Sequence, residues 1–199
     1  VAKNKGFIYV DTGAMYRAMA LHMIRSNVDT KDADAVAKAS ETADISIRYV
    51  NGEQIVLLNG ENVNGLIRTP QVSAMASVSS ANPQVRARLL HLQQKLADEN
   101  DVIMDGRDIG TCVLPHADVK VYLTASARVR AQRRYKELVA KGESCDLDQI
   151  EAEIKERDHR DMTREHAPLK QAEDAQLLDS SDMTIGQVVD AICSLIHKE

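Results

Sequence analysis

The sequence has few cysteines, no excess of basic residues and no long apolar run. Each of these absences reduces the number of functional classes to which the protein could belong. Cys112, Cys145 and Cys193 stand far apart, with no CxxC pair, which favours a reducing, cytoplasmic compartment. The 25 lysines and arginines are outnumbered by 30 aspartates and glutamates, for a net charge of -5, so we expect no broad nucleic-acid surface. No run is long enough to span a bilayer and no signal peptide is recognisable, so we expect no membrane partner.

Metal-ligand spacing is also missing. His159 and His166 are seven residues apart in an arginine-rich segment, but no third ligand is near, so solvated histidines are favoured over a metal site. The 199 residues are 44% hydrophobic and 28% charged, which is typical of a globular chain with one domain or one domain with small subdomains. We expect a monomer.

Helix and strand patterns alternate along the chain. Apolar, β-rich runs predict buried parallel strands at FIYV, VIMD and VKVYLTA, with a further strand at AQLLDSS. Asn51-Gly52 predicts a hairpin inserted into this core. Helical patterns follow Thr12, cover 29–44, 70–100 with a break at Asn82-Pro83, a long stretch ended by Gly142, and 185–198. The fold class is therefore α/β, a parallel sheet flanked by helices.

Polar residues stand where two of these strands end, which is where α/β proteins bind ligands. Thr12, at a helix N-terminus, and Arg17 predict an anion site; a plain helix cap with a solvated arginine is the alternative. Asp105 suits a Mg²⁺ shell. The alternative there is a turn in which Asp105 and Asp108 cap backbone groups and Arg107 pairs with one of them.

The segment IKERDHRDMTREHAPL carries Arg157, Arg160 and Arg164 at spacings that predict one helix face, with Asp161 close to it. Like charges on one face repel unless something negative faces them. Water, the neighbouring glutamates or a bound anion would each meet that need. Taken with the two strand ends, the stripe favours phosphoryl transfer, which requires positioning and charge neutralisation.

Three motifs, FIYVDTGAMYRA, DGRDIGT and IKERDHRDMTREHAPL, resemble those of bacterial cytidylate kinase in order and spacing along essentially the whole chain. DTGAMYR also resembles adenylate kinase, but DGRD stands where that family has DGFPR. The resemblance implies a cytoplasmic transferase of pyrimidine nucleotide metabolism. Such an enzyme phosphorylates CMP or dCMP with ATP and Mg²⁺ and has the nucleoside-monophosphate kinase fold with an inserted substrate region and a helical lid.

The resemblance also implies a role for each matching residue. The acceptor phosphate would be held by Thr12, Arg17, Arg107 and Arg164. The cytosine edge would be read by Ser77, Arg86 and Asp108, a pattern that leaves buried polar groups unpaired with uracil. Nucleotide sugar and phosphates would contact the lid residues Arg157 and Asp161. The transferred group would be faced by Arg133 and Arg134, and Mg²⁺ would lie near Asp105. Lid closure would exclude water.

The chain departs from the family pattern at its start. The family begins with a strand and a GxxxxGK[ST] loop that cradles ATP phosphates, and no such loop occurs in the sequence. We expect that this strand and loop belong to the natural protein, and that residues 1–199 alone are inactive. We expect one domain, with a substrate-binding insert at about 30–100 and a lid at about 132–165. Another nucleoside-monophosphate kinase, acting on UMP or AMP, and a non-catalytic nucleotide-binding module remain alternatives.

Overall fold

The computed structural model describes residues 1–196, which divide into two compact units. One unit is Ala2–Ile109 and the other begins at Gly110. The proposed boundaries of a single domain, its insert and its lid stay predictions. The end of the predicted last helix, at Lys198, lies outside the described residues.

The elements of the first unit follow the predicted order. Its helices are α1 (Ala2–Lys5), α2 (Thr12–Arg25), α3 (Ala33–Glu41), α4 (Pro70–Ser79) and α5 (Pro83–Glu99). Its strands are β1 (Ile8–Asp11), β2 (Ile45–Val50), β3 (Glu53–Leu58), β4 (Glu61–Asn62) and β5 (Val102–Asp105). Asn82 caps α5 by accepting from the backbone N–H groups of Gln84 and Val85, so the chain breaks between α4 and α5 as the Asn-Pro pair predicts.

The first unit contains a parallel pair of strands and an inserted three-stranded antiparallel sheet in the order β2-β3-β4. Strands β1 and β5 pair in parallel with Asp11 opposite Asp105, so two carboxylates stand side by side at their ends. The hairpin of β2 and β3 turns at Asn51 and Gly52, whose φ angles of 53° and 79° are those of the predicted two-residue turn. The hairpin and the parallel pairing are both confirmed.

Helix α2 is the centre of the first unit because its apolar residues recur at helical spacing. Met15, Met19 and Met23 are fully buried and belong to one core cluster with Val10 of β1 and Leu58 of β3. Flexible methionine side chains fill irregular gaps between a helix and a sheet. The first turn of α2, immediately after β1, is thereby fixed against this core.

The second unit has the predicted long helix and a second parallel pair. Its elements are β6 (Val121–Thr124), α6 (Ala127–Ala140), α7 (Leu147–Thr163), β7 (Gln176–Asp179) and α8 (Ile185–Leu195), with β6 parallel to β7. A π-helical turn at Ile109–Val113 was not predicted. Parallel strands flanked by helices confirm the α/β class.

The strands are less buried than their apolar sequences predict. Leu123 of β6 is 54% exposed and Leu177 of β7 is 61% exposed. The prediction of a buried strand is wrong at Leu123, because each parallel sheet of the described residues has only two strands and leaves part of its surface in contact with solvent. Within residues 1–196, no helix is both long and apolar enough to cross a membrane.

Candidate functional site

The carboxyl ends of β1 and β5 bring together the two sequence motifs that end in polar residues. Thr12 is 3% exposed, and its Oγ1 donates to the backbone carbonyl of Asp105 at 2.6 Å. Gly106 leaves the space for this contact, since a Cβ there would lie 2.5 Å from Thr12 Oγ1. The two motifs, 93 residues apart, therefore form one surface.

Asp11, rather than Thr12, caps α2. Its Oδ1 accepts from the Ala14 backbone N–H at 3.1 Å, and its Oδ2 accepts from Arg17 Nη2 at 3.3 Å. The Arg17 side chain is only 18% exposed, so the alternative of a solvated arginine is wrong. Partial burial lowers the pKa of Arg17, Asp11 opposes this shift, and nearby Arg68 adds to it. A desolvated guanidinium beside a helix N-terminus suits an anionic ligand.

Asp105 is held by Tyr9, whose hydroxyl donates to Asp105 Oδ2 at 2.8 Å. Loss of hydration raises the pKa of Asp105. The adjacent Asp11 carboxylate raises it further, while the Tyr9 hydrogen bond, Arg107 and Arg17 lower it. Arg107 is exposed in the following loop. The neighbouring carboxylates of Asp105 and Asp11 place two acidic groups at the strand ends, which is a chemically suitable environment for a cation.

Arg86 and Asp108 form a buried ion pair between α5 and the loop after β5. Arg86 is 9% and Asp108 7% exposed, and Arg86 Nη2 donates to Asp108 Oδ2 at 2.6 Å. Arg86 Nη1 donates to the Ser80 carbonyl at 3.0 Å, and its guanidinium lies 5.1 Å from the centre of the Tyr16 ring. The pair therefore has a fixed position and offers a donor next to an acceptor.

Ser77 lies three residues before Ser80 on α4 and is half-buried. Among the described residues its hydroxyl makes no hydrogen bond to Arg86 or Asp108. The structure thus joins two of the three residues assigned to the base and leaves the third on the adjacent helix.

In the second unit, α6 and α7 are joined by arginines that the sequence patterns did not single out. Both terminal nitrogens of Arg130 donate to the Asp158 carboxylate, one of them at 3.0 Å. Arg128 pairs with Asp148 at 2.6 Å and with Glu151 at 2.9 Å. Bidentate pairing of this kind fixes the two helices in register. These partners are 20 to 28 residues apart in the sequence, so no local pattern could have predicted the pairs.

The predicted stripe of three arginines on one helix face is wrong. Helix α7 ends at Thr163, and Arg164 is its C-cap with extended backbone angles, φ -62° and ψ 145°. Arg160 pairs with Glu156 at 3.5 Å and is 53% exposed. Arg157 and Arg164 both approach Asp161, at 4.0 and 3.8 Å. Helical spacing fails here because the helix stops before the third arginine.

The turn after α7 holds Arg164 in place. Arg164 Nε donates to the Ala167 carbonyl at 2.8 Å, and the Leu169 N–H donates to the Asp161 carbonyl at 2.8 Å. The Arg164 side chain is 14% exposed. Its guanidinium is therefore positioned by the turn rather than by helical periodicity.

Arg133 and Arg134 point to different partners. Arg133 Nη2 donates to the Ser180 carbonyl at 2.5 Å and lies 3.5 Å from the Met183 carbonyl, so it joins α6 to the end of β7. Arg134 pairs with Glu137 at 3.3 Å on its own helix. The expected contact of both with a transferred phosphoryl group stays a prediction.

Sequence reasoning missed four residues around the strand ends: Tyr9, Asp11, Gln54 and Arg68. Asp11 stood in the DTG motif, and its position before the helix was the available signal. Gln54 and Arg68 come from the hairpin and the segment before α4, and no local pattern connects either to the strands. Within residues 1–196, no group of three His, Cys, Asp or Glu side chains is arranged to hold a metal ion.

Comparison with known proteins gives consistent matches along the chain. A family model described as cytidylate kinase matches residues 1–198. A cytidylate kinase of Caldicellulosiruptor saccharolyticus is 48% identical over 198 residues, covering 100% of this chain and 88% of that protein. Those of Lactiplantibacillus plantarum and Pasteurella multocida are 47% and 48% identical, and each match covers 100% of this chain and 87% of the relative.

Proposed function

The chain belongs to the cytidylate kinase family, an enzyme family that transfers a phosphoryl group from ATP to CMP or dCMP, and we propose how its residues divide that work. The relatives do not favour the alternatives of a different nucleoside-monophosphate kinase or a non-catalytic binding module. The family resemblance and the arrangement at the strand ends support the assignments that follow.

We assign recognition of the cytosine edge to Arg86 and Asp108, with Ser77 as the adjacent hydroxyl. The single observation that carries this assignment is the buried pair at 2.6 Å. A carboxylate accepts from the exocyclic amine of cytosine, and a guanidinium donates to the ring acceptors. Uracil has a carbonyl where cytosine has the amine, so the uracil carbonyl and the Asp108 carboxylate would be two acceptors facing each other. Burial makes such a mismatch costly because water cannot replace the lost hydrogen bond.

We assign the acceptor phosphate to Thr12 and Arg17, with Arg107 from the neighbouring loop. The Thr12 hydroxyl donates to the Asp105 carbonyl, which ties the start of α2 to the end of β5, and Arg17 supplies a largely desolvated positive charge. The first turn of α2 adds backbone N–H groups that favour a negative ligand. In the second unit, Arg164 is assigned to phosphate binding, because its turn fixes a guanidinium that two oxygens can share.

We assign Arg157 and Asp161 to the nucleotide sugar and phosphates, and Arg133 and Arg134 to the transferred phosphoryl group. Positive charge placed against phosphates stabilises the transition state more than the ground state when it is fixed beforehand. Mg²⁺ is the expected companion of ATP and would neutralise phosphate charge. Asp105 at the end of β5 fits a role near it, since Mg²⁺ is held by one or two carboxylates together with substrate phosphates.

We propose a cytoplasmic enzyme of pyrimidine nucleotide metabolism that works as a monomer, with CMP, dCMP and ATP as its ligands and no nucleic-acid or membrane partner. The widely spaced cysteines and the net charge of -5 support this setting.

Replacement of Asp108 tests the base assignment. ADP release, coupled to an indicator reaction, is measured with CMP, dCMP, UMP and AMP for the full-length protein and for its Asp108→Asn variant. An asparagine offers both a donor and an acceptor, so the preference for CMP over UMP in kcat/KM should shrink about tenfold or more, the effect of losing one buried hydrogen bond.

The matched control is Asp98→Asn, an exposed aspartate on the same helix as Arg86. It should leave the CMP/UMP ratio unchanged. If the CMP/UMP ratio of kcat/KM is also unchanged in Asp108→Asn, Asp108 has only a structural role in the turn. The assignment of Asp108 to base recognition would then be wrong.

A further inference from the structure

Asp11 is a junction for two arginines that lie far apart in the sequence. Its Oδ2 accepts from Arg17 Nη2 at 3.3 Å and from Arg68 Nη2 at 3.2 Å. Its Oδ1 is occupied by the Ala14 N–H of the helix cap. One carboxylate therefore fixes the first turn of α2 and the positions of two guanidinium groups together.

Arg17 has one buried donor that the described residues do not use. Its Nε is shielded from solvent and has no acceptor among residues 1–196, although a buried N–H normally has a partner. The space around the pair depends on Gly13, since a Cβ there would lie 3.1 Å from Asp11 Oδ1 and 3.5 Å from Arg17 Nη1. The ion pair is thus packed against a position where a side chain would crowd it.

The hairpin fixes the backbone of Asp11. Gln54 of β3 accepts from the Asp11 N–H at 2.9 Å, and its amide nitrogen lies 3.4 Å from the Asp11 carbonyl. Both backbone groups of the residue at the end of β1 are therefore held by one side chain from the insert. Arg68, by contrast, is 67% exposed, so its position depends on the carboxylate.

We infer that Asp11 is a positioning residue that holds Arg17 and Arg68 together for the acceptor phosphate, and that Arg68 is a further phosphate-binding residue. The inference rests on the proposed function, in which Arg17 binds that phosphate. Two guanidinium groups that share one oxygen atom lie close enough for a single phosphate to reach both. Without the shared carboxylate they repel each other, and the exposed Arg68 is free to move into solvent.

Charge alone predicts the opposite effect for Asp11. A carboxylate near a phosphate repels it, so an Asp11 that merely balanced the two arginines would weaken CMP binding, and its neutralisation would tighten it. A positioning Asp11 would instead strengthen CMP binding through the two arginines. The sign of the change in CMP affinity separates the two explanations.

The test is Asp11→Asn, which keeps a side chain able to cap α2 and removes the charge. The matched control is Asp32→Asn, since Asp32 caps α3 through the Ala35 N–H in the same way and is exposed. Binding of CMP and of cytidine is measured by isothermal titration calorimetry. Asp11→Asn should weaken CMP about tenfold, as expected for one lost charge-assisted contact. Cytidine should bind as before, and Asp32→Asn should change neither ligand.

Tighter CMP binding, unchanged CMP binding, or an equal loss for CMP and cytidine would each overturn the inference, because none follows from a role confined to the phosphate. A double-mutant cycle adds a second readout. Arg68→Gln should weaken CMP about tenfold in the parent protein and much less in the Asp11→Asn background, because coupled residues are not additive. Full additivity would overturn the positioning role.

Arg17→Gln separates failure of the inference from failure of the proposed function. If Arg17→Gln leaves CMP affinity unchanged, the acceptor-phosphate assignment itself is wrong, and the inference falls with it. If Arg17→Gln weakens CMP while Asp11→Asn and Arg68→Gln do not, the phosphate assignment stands and only the inference is wrong.

Discussion

Two arginines of the first unit and two arginines on helix α7 of the second unit are held in different ways. In the first unit, Arg17 and Arg86 have side chains 18% and 10% exposed, and each pairs with an aspartate from another element or the end of a strand. On α7 of the second unit, Arg157 and Arg160 are 58% and 53% exposed and pair within their own helix. Buried arginines with distant partners are placed by the fold, whereas exposed ones with local partners keep most of their freedom.

Arg164 belongs to the second unit but resembles the buried group. Its side chain is 14% exposed, and the turn after α7 provides its hydrogen bond. Burial and a fixed hydrogen-bond partner therefore identify an arginine whose side-chain position is set before a ligand binds. Charge and helical spacing alone do not identify it. Such arginines lose little entropy when they bind an anion.

The largest expected effect comes from breaking the buried pair of the first unit. Arg86→Met should lower the free energy of unfolding by about 3–5 kcal/mol, because Asp108 keeps a buried charge without its partner. Urea denaturation measures the change. The same substitution at Arg160 removes an exposed pair and should cost less than about 0.5 kcal/mol. Equal losses for the two variants would erase the distinction between the units.

Close packing at the strand ends predicts the next effect. Gly106→Ala places a Cβ 2.5 Å from Thr12 Oγ1 and 2.9 Å from the Ile109 side chain, which should cost about 1–3 kcal/mol and weaken CMP binding. Gly65→Ala is the control, since a Cβ there meets nothing within 4 Å. Thermal melts and CMP titration of both variants measure the effects, and a Gly106→Ala protein as stable as Gly65→Ala would contradict the packing.

Arg164→Lys sharpens the comparison within the second unit. Lysine keeps the charge but loses the planar fork, so kcat/KM should fall about tenfold, equivalent to about 1.4 kcal/mol in the barrier. Loss of the Nε bond to Ala167 should lower stability by about 1 kcal/mol. Arg160→Lys should change neither quantity. Steady-state kinetics and thermal melts of both variants of the full-length protein measure these effects. Equal kcat/KM for the two variants would contradict a role of Arg164 in phosphate binding.

The smallest effect is a difference in the pH dependence of stability between the units. The raised pKa of Asp105 means that the folded state disfavours its charge, so stability falls as pH rises from the ordinary aspartate pKa of about 3.9 through the raised value. Asp105→Asn should therefore be more stable than the parent protein at neutral pH. This advantage should disappear below about pH 4.

Asp179 of β7 predicts the opposite sign. Hydrogen bonds from Ser181 lower its pKa, so its charge stabilises the fold above the ordinary pKa, and that contribution is lost as pH falls through the lowered value. Asp179→Asn should therefore be less stable than the parent protein at neutral pH. Thermal melts from pH 3 to pH 8 compare the two variants, and shifts of the same sign at neutral pH would contradict the two pKa directions.

Local sequence signals predicted most of the fold. The order of elements, the hairpin turn at Asn51 and Gly52 and the break before Pro83 all follow from short-range backbone preferences. The same reasoning failed at Arg164, because nothing in its spacing shows that α7 ends one residue earlier. It also did not predict the π-helical turn at Ile109–Val113.

By itself, the sequence determined the location of the candidate site, since polar residues directly after apolar strands must gather at the carboxyl ends of a parallel pair. Only the tertiary structure decided which side chains meet there. Arg86 reaches Asp108 across 22 residues, and Arg68 reaches Asp11 across 57. Such pairs depend on how elements pack, because partners beyond one helical turn or one hairpin are neighbours only after the chain has closed on its core.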